Sequence, residues 1–241
     1  MNYQITEFNQ TIIDTIASMP QTGKILETTY DFTRLMTYYQ CALLEVETKF
    51  NVLNEEANLR FDRQPISSIQ TRLKSVPSLM KKMRKRSLAF SVDTIEANIF
   101  DVAGVRVICS FVDDVYALAQ ALERQDDIEV LQVKDYIKNP KENGYRSLHM
   151  IVSVPIFLEK EKRPMKVEVQ LRTIAMDSWA SLEHQLRYKK KDVFDQKMTD
   201  DLKHCADISA ELDKKMNALK KQVDIEREDT SLADYLKQEL L

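Results

Sequence analysis

The spacing of apolar residues changes twice along the chain, and these changes predict an α/β fold. Apolar side chains recur every three or four residues from Asn2 to Phe61, the period of an amphipathic helix. Short runs rich in Val and Ile follow, and the helical period returns from Ile174 to Leu241. Five of the short runs predict strands: Ile66–Val76, Val102–Phe111, Ile128–Val133, Ser147–Phe157 and Met165–Thr173. We therefore expect a core of about five strands at residues 62–190, between helical regions at residues 1–61 and 191–241.

Glycine is rare in this chain, and its scarcity limits how phosphate could be bound. The 241 residues contain three glycines, Gly23, Gly104 and Gly144, and neither GxGxxG nor GxxxxGK[ST] occurs. Any nucleotide must therefore be held by side chains rather than by a glycine-rich loop. The formal charge of −3 argues against binding of a polyanion through net charge alone.

Compartment and metal content can also be predicted from composition. Cys41, Cys109 and Cys205 form no CxxC pair, which argues against a zinc site or a disulfide framework. No apolar run approaches 18 residues, and Glu7 and Asp14 interrupt the N-terminal segment. We expect a soluble, cytoplasmic protein without a membrane span.

A basic segment runs from Arg72 to Arg86, with seven Lys or Arg residues and no acid. Arg72 and Lys74 alternate on a predicted strand, so they share a face. Lys81, Lys82 and Lys85 follow at helical spacing. The segment is either a solvated basic helix or a polyphosphate site in which Arg also stacks on a base.

Asp101 and Arg106 flank Gly104 at the start of an apolar strand. An ion pair between the two charged residues is the simpler interpretation. The alternative is that Asp101 is a magnesium ligand, because carboxylate oxygens at a strand end are suited to this ion. Gly104 would allow a ligand to approach the backbone closely.

The segment Lys141–His149 contains an Asn-Gly turn followed by a strand. Tyr145, just after the turn, is predicted to be exposed, which favours a ring that stacks on a ligand. His149 shares a strand face with Ser147, and a lone histidine is more often structural than functional.

Strict alternation in the segment Lys166–Thr173 separates a polar face from an apolar one. The polar face carries Lys166, Glu168, Gln170 and Arg172. It is either solvated, or it presents Glu168 as a second metal ligand or general base.

Several of these segments, in order, resemble the synthetase domain of the RelA/SpoT family. They are Asp101–Phe111, Lys134-Asp-Tyr136, Asn143-Gly-Tyr-Arg-Ser-Leu-His149, Glu168-Val-Gln-Leu-Arg-Thr-Ile-Ala-Met-Asp177 and Trp179-Ala-Ser-Leu-Glu-His184. The short chain is most similar to a small alarmone synthetase of the RelP type, over about residues 35 to 223. The resemblance implies a mixed, nucleotidyltransferase-like sheet and a GTP diphosphokinase. Such an enzyme moves the β,γ-pyrophosphate of ATP to the 3′-hydroxyl of GDP or GTP in the stringent response.

The resemblance also assigns roles to individual residues. Asp101 and Glu168 would bind Mg²⁺, and Glu168 would also activate the 3′-hydroxyl. Arg72 and Arg106 would sandwich adenine, and Tyr145 would stack on guanine. The ATP phosphates would be held by Lys74, Ser78, Lys82 and Lys85. The acceptor nucleotide would also be contacted by Lys134, Lys141, Asn143, His149 and Gln170.

Alternatives and regulation stay open at this stage. A nucleic-acid-binding regulator would use the basic segment and Tyr145 but leave Asp101 and Glu168 unexplained. A helical scaffold would explain only the two ends of the chain. An apolar stripe from Leu202 to Val223 either packs on its own domain or mediates self-association, and with the resemblance it predicts a homotetramer. The chain has no His-Asp pair, so we expect no alarmone hydrolysis; regulation by RNA or by an alarmone stays undecided.

Overall fold

The computed structural model describes residues 22–61, 63–189 and 195–229. The helices in these ranges are α1 (Thr22–Phe61), α2 (Val76–Lys85), α3 (Val92–Asn98), α4 (Val112–Glu123), α5 (Ile174–Lys189) and α6 (Gln196–Asp229). The strands are β1 (Ile66–Leu73), β2 (Ala103–Cys109), β3 (Glu129–Asp135), β4 (Leu148–Phe157) and β5 (Lys162–Thr173).

The five strands form one mixed sheet in the order β1-β2-β5-β4-β3. Strands β2 and β5 pair in parallel, and the other neighbours pair antiparallel. Helices from both ends of the chain flank this sheet, so the predicted fold class is confirmed. None of the helices in the described ranges has the length and apolar character required to cross a bilayer.

Two strand boundaries differ from the prediction by three residues, for local reasons, and the other differences are of one or two residues. Strand β1 ends at Leu73 rather than Val76, because Val76 already begins α2 with a proline in its first turn. Lys74 therefore follows the strand, although its backbone N–H still donates to the carbonyl oxygen of Val102 at 2.8 Å. Strand β5 begins at Lys162, three residues before the predicted Met165, because it pairs with β4 as far as Phe157.

One face of the sheet is apolar and packs against α1. Strands β2 and β5 direct alternating residues such as Val105, Val107, Val167 and Val169 into the core. Helix α1 contributes a buried stripe to the same core, formed by Leu35, Tyr39, Ala42, Val46 and Phe50. Because α1 covers this face along β1, β2, β4 and β5, the polar face is left for ligands.

The predicted stripe on the C-terminal helix divides into two parts. Ala206 is buried with 3% of its surface exposed, so this part of α6 packs on its own domain. Leu212, Met216, Leu219 and Val223 are 44–53% exposed, so the interpretation that the whole stripe packs on its own domain is wrong for them. The helix was also predicted to run to Leu241, and residues 230–241 lie outside the described ranges.

Candidate active site

Strand register brings the polar residues into two rows on the face opposite α1. Arg72, Gly104 and Glu168 are paired across β1, β2 and β5. The second row crosses from β2 to β3 and contains Arg106, Gln170, His149 and Lys134. Directly paired residues project to the same side of a sheet, so residues far apart in sequence meet here.

Members of both rows line an open cleft of about 650 Å³, a volume within the range of small-molecule sites. Its walls include Arg72, Arg106, Tyr145, Glu168 and Gln170. Gly104 lies on the floor, where an added Cβ would meet only backbone oxygens at 3.9 Å. Glycine is therefore not required by the packing of the protein, but it keeps the floor clear between Arg72 and Glu168.

The Asp101 carboxylate lies between two lysines. Its Oδ2 atom is 2.6 Å from Nζ of Lys82 and 3.1 Å from Nζ of Lys74. Burial raises the pKa of the Asp101 carboxyl, but the hydrogen bond from Lys82 and the charge of Lys74 outweigh burial and hold the pKa below its ordinary value. The simpler interpretation, an Asp101–Arg106 ion pair, is wrong, because Arg106 pairs with Asp177 at 3.3 Å.

The second carboxylate, Glu168, is held by an amide and an imidazole rather than by lysines. Its Oε2 atom accepts a hydrogen bond from Nε2 of Gln170 at 2.9 Å, and Oε1 lies 3.6 Å from Nδ1 of His149. Burial raises the pKa of Glu168, but the contacts with His149 and Gln170 outweigh burial and hold the pKa below its ordinary value. Glu168 is therefore ionised at neutral pH. The charge of Asp101 acts on Glu168 in the opposite direction, which places the two carboxylates within electrostatic reach of each other.

The donor set of the cleft fits a magnesium ion. The Oδ1 atom of Asp101 is buried and has no hydrogen-bond partner, so an acceptor oxygen is available for a cation. The described part of the chain has no cluster of three or more His, Cys, Asp or Glu residues suited to a metal. Magnesium is commonly bound by one or two carboxylates and completed by water and substrate phosphates, which matches Asp101 and Glu168.

Tyr145 is partly buried, so the prediction that it is exposed is wrong. Its hydroxyl oxygen lies 2.8 Å from Nε2 of His149 and accepts a hydrogen bond from Nη2 of Arg172 at 2.5 Å. The ring also makes an edge contact with Tyr136, at 6.1 Å between centroids, and Nζ of Lys141 lies 4.7 Å from both tyrosine ring centroids. These contacts give Tyr145 a fixed position in the wall of the cleft that Glu168 also lines.

Arg172 and Asp177 belong to the site but were not among the predicted site residues. Arg172 is 5% exposed and donates to Oδ1 of Asp177 and to Oε1 of Gln170, both at 3.0 Å. Its position could have been inferred, because alternation along β5 already put it on the polar face. Asp177 gave a weaker signal, because its pairing with Arg106 depends on where α5 begins.

The remaining predicted residues lie around the cleft with different degrees of support. Oδ1 of Asn143 accepts from the backbone N–H of Tyr145 at 3.2 Å, which shapes the loop. Lys134 is exposed on β3 beside His149. Ser78 and Lys85 are exposed on α2, and Ser78 Oγ accepts a hydrogen bond from Ser75 Oγ at 2.9 Å. Lys74 and Lys82 therefore contact Asp101 directly, whereas Ser78, Lys85 and Lys134 are exposed residues near the cleft.

A sequence model of the region found in RelA and SpoT proteins matches residues 71–193 of this chain. The chain belongs to the RelA/SpoT family. This member is 41% identical to the GTP pyrophosphokinase YwaC of Bacillus subtilis strain 168, over 80% of its own length and 92% of that protein. The predicted family is therefore confirmed.

Solved structures agree with this assignment. Small alarmone synthetase 2 from Bacillus subtilis matches 80% of this RelA/SpoT chain and 99% of its own chain, with 40% identity and a TM-score of 0.73. Small alarmone synthetase 1 from the same species, bound to its product pppGpp, matches 80% and 97%, with 32% identity and a TM-score of 0.72. The RelP type is carried by neither name and stays a prediction.

Proposed function

We propose that this RelA/SpoT chain is a GTP pyrophosphokinase that transfers the β,γ-pyrophosphate of ATP to the 3′-hydroxyl of GDP or GTP. The products would be AMP and guanosine tetra- or pentaphosphate. The observation that carries the proposal is the proximity of two carboxylates: Glu168 lines the cleft and contacts His149, and Asp101, held by Lys74 and Lys82, lies within electrostatic reach of it. The relatives named GTP pyrophosphokinase and the relative with bound pppGpp support it.

The donor half of the cleft, defined here as the lining residues Arg72 and Arg106 together with the nearby Lys74, Lys82 and Asp101, would bind ATP. Lys74 and Lys82 place two ammonium groups on one carboxylate, which leaves positive charge for phosphate oxygens. Arg72 and Arg106 line the same cleft, and their planar guanidinium groups suit adenine stacking. Ser78 and Lys85, on the adjacent helix α2, would add contacts to the phosphates.

The acceptor half, defined here as Tyr145, His149, Glu168, Gln170 and Arg172, would bind the guanine nucleotide. Tyr145 offers an aromatic surface for the base, and roughly 1–3 kcal/mol is typical of such stacking. His149 and Gln170 point at Glu168 and would orient the ribose next to it. Contacts from Lys134, Lys141 and Asn143 would complete the acceptor site.

Charge neutralisation and alignment are the main requirements of this reaction. Asp101 and Glu168 would hold Mg²⁺, which supplies positive charge to the phosphate oxygens when it is bound. Lys74 and Lys82 add further positive charge, and Tyr145 fixes the acceptor. Because its pKa is lowered, Glu168 carries the negative charge that a cation needs at neutral pH. The same lowering makes the carboxylate a weaker base for the hydroxyl proton.

A nucleic-acid-binding role is less well supported by the same geometry. Phosphates of an RNA backbone would face two ionised carboxylates, and these repel phosphates unless a cation intervenes. A divalent cation and a small nucleotide resolve this conflict in a cleft of about 650 Å³.

We also propose that the protein is a homotetramer and acts in the cytoplasm, where both nucleotides are available. The exposed stripe Leu212, Met216, Leu219 and Val223 supports self-association, because spacings of three and four suit a helix–helix seam. Light scattering at micromolar concentration should give the mass of a tetramer, and the mass of a monomer would contradict this.

The function is tested by incubating the full chain with ATP, Mg²⁺ and a guanine nucleotide, and by measuring AMP. AMP release should require GDP or GTP, because the two halves of the cleft bind different nucleotides. Initial rates with GDP, GTP and GMP then give the preferred acceptor. Release of AMP at the same rate without a guanine nucleotide would contradict the proposal.

A further inference from the structure

Tyr145 lies between two residues that contact the C-terminal helix α6. The first is Gly144, which is buried and has a φ of +89°. A Cβ atom added at Gly144 would lie 2.5 Å from Cβ of Ala206 and 3.6 Å from Cα of Lys203. The backbone of the loop therefore rests directly on α6, with no space for a side chain between them.

The second residue is Arg146, whose guanidinium joins the loop to the helix. Its Nη1 atom donates to the carbonyl oxygens of Gly144 at 3.2 Å and Ala206 at 3.0 Å. Its Nη2 atom donates to Oδ1 of Asp207 at 3.1 Å, and the side chain is 17% exposed. The planar group thus holds two segments that are about sixty residues apart in sequence.

Helix α6 also contacts the end of strand β5. Oγ1 of Thr173 donates to Oδ2 of Asp213 at 2.6 Å, and both residues are buried. Helix α6 also contacts α5, where Nε1 of Trp179 donates to the carbonyl oxygen of Leu202 at 2.9 Å. Strand β5 carries Glu168, so α6 contacts two of the segments that form the acceptor half, the loop at Tyr145 and β5.

We propose that α6 positions the acceptor half of the active site, through Gly144 and Arg146 on either side of Tyr145. This inference rests on the proposed function, because it takes Tyr145 as the residue that meets the guanine nucleotide. Arg146 is a positioning residue, since it fixes the loop rather than contacting the reacting atoms. The donor half is held differently, by the contacts of Lys74 and Lys82 with Asp101.

The first test is Arg146→Ala in the full chain, with Lys215→Ala as the control. Lys215 is an exposed residue of α6 and pairs with Glu211 of the same helix at 2.8 Å, away from the loop. Arg146→Ala should raise KM for GDP about 10-fold, the scale of a lost charged hydrogen bond, and leave KM for ATP unchanged. The control should change neither value. A lower kcat with both KM values unchanged would indicate a loss of folded protein only and would overturn the proposal.

The second test restores space at the contact between loop and helix. Gly144→Ala should raise KM for GDP, because its Cβ would overlap that of Ala206 and because a φ of +89° strains an alanine backbone. Adding Ala206→Gly removes the opposing Cβ, so the double variant should recover part of the lost affinity. A double variant no better than Gly144→Ala alone would overturn the proposal, because the defect would then belong to the loop backbone rather than to its contact with α6.

Amide hydrogen exchange separates this inference from the proposed function. Residues 141–147 should exchange faster in Arg146→Ala than in the wild type without any nucleotide. If the wild type releases no AMP but exchange still rises, the proposed function fails and the positioning contact stands. If the wild type is active and Arg146→Ala keeps both the wild-type KM for GDP and the wild-type exchange rates, the inference fails and the function stands.

Discussion

The two halves of the cleft each contain one carboxylate, but they hold it in opposite ways. In the donor half, two lysines lie within 3.1 Å of Asp101. In the acceptor half, Glu168 contacts an amide and an imidazole, and a chain of hydrogen bonds continues to Tyr145 and Arg172. One half is organised by charge and the other by directional hydrogen bonds.

This difference indicates what each half can discriminate. Lysine ammonium groups attract phosphate with little angular preference, so the donor half suits the mobile, highly charged end of ATP. The acceptor half fixes ring and amide orientations, and it therefore suits a base and a ribose hydroxyl that must be aligned. Variants in the two halves should accordingly change different kinetic constants.

The largest effect is expected for Glu168→Gln. Loss of the charge should lower kcat by about 10²–10⁴-fold, the usual range for a catalytic acid or base, while ATP binding persists through the lysines. Steady-state kinetics and ATP titration measure the two quantities. The exposed Glu129→Gln on β3 is the control. Near-normal turnover of Glu168→Gln would remove Glu168 from the mechanism and leave Asp101 as the sole carboxylate.

Lys82→Ala tests the donor half. Its loss should raise KM for ATP about 10- to 100-fold and leave KM for GDP unchanged, because a charged hydrogen bond to phosphate is lost. Lys81→Ala removes the same charge from an exposed neighbour on α2 and should have little effect. Equal changes for Lys81 and Lys82 would mean that only the general charge of α2 matters.

Tyr145 allows stacking and hydrogen bonding to be separated within the acceptor half. Tyr145→Ala should raise KM for GDP roughly 5- to 150-fold with little change for ATP. Tyr145→Phe keeps the ring but loses the hydroxyl contacts with His149 and Arg172, so it should lower kcat more than it raises KM. If Phe and Ala give the same KM for GDP, stacking on the base is not the role of the ring.

The smallest effect concerns Asp213, which joins α6 to Thr173 at the end of β5. Burial raises its pKa above the ordinary 3.8, although the Thr173 hydrogen bond opposes this. A raised pKa means that Asp213 stabilises the fold fully at low pH and that this contribution is lost as pH rises through the folded pKa.

Asp213→Asn should therefore be at least as stable as the wild type at pH 7, and the difference should disappear below pH 3.8. Denaturant unfolding at several pH values measures the difference. A large loss of stability at pH 7 would show that the ionised carboxylate itself is required by Thr173.

The sequence predicted which residues share a strand face better than it predicted the hydrogen bonds between different strands and loops. Alternation placed Glu168, Gln170 and Arg172 on one face because a strand has a period of two. Tyr145 was predicted to be exposed because it follows the Asn-Gly turn. Its hydrogen bonds to His149 and Arg172 depend instead on the pairing of β4 with β5, which no local pattern shows.

Contacts between distant segments gave no local signal. The seating of Gly144 on Ala206 depends on the path of α6 across the domain, and no periodicity near residue 144 encodes that path. The end of β1 at Leu73 has a different, local cause. The helix that begins at Val76 takes up residues that the apolar pattern assigned to the strand.

The transfer of pyrophosphate from ATP to GDP can be tested most directly by tracing the γ-phosphate of ATP. With ATP radiolabelled in its γ-phosphate, Mg²⁺ and GDP, the label should appear in guanosine tetraphosphate, and AMP should form in an equal amount. That result requires both halves of the cleft to be occupied and the pyrophosphate to move as one unit. Label in inorganic phosphate with ADP as the adenosine product would contradict the account, because it would mean that a single phosphoryl group is released and that the acceptor half takes no part.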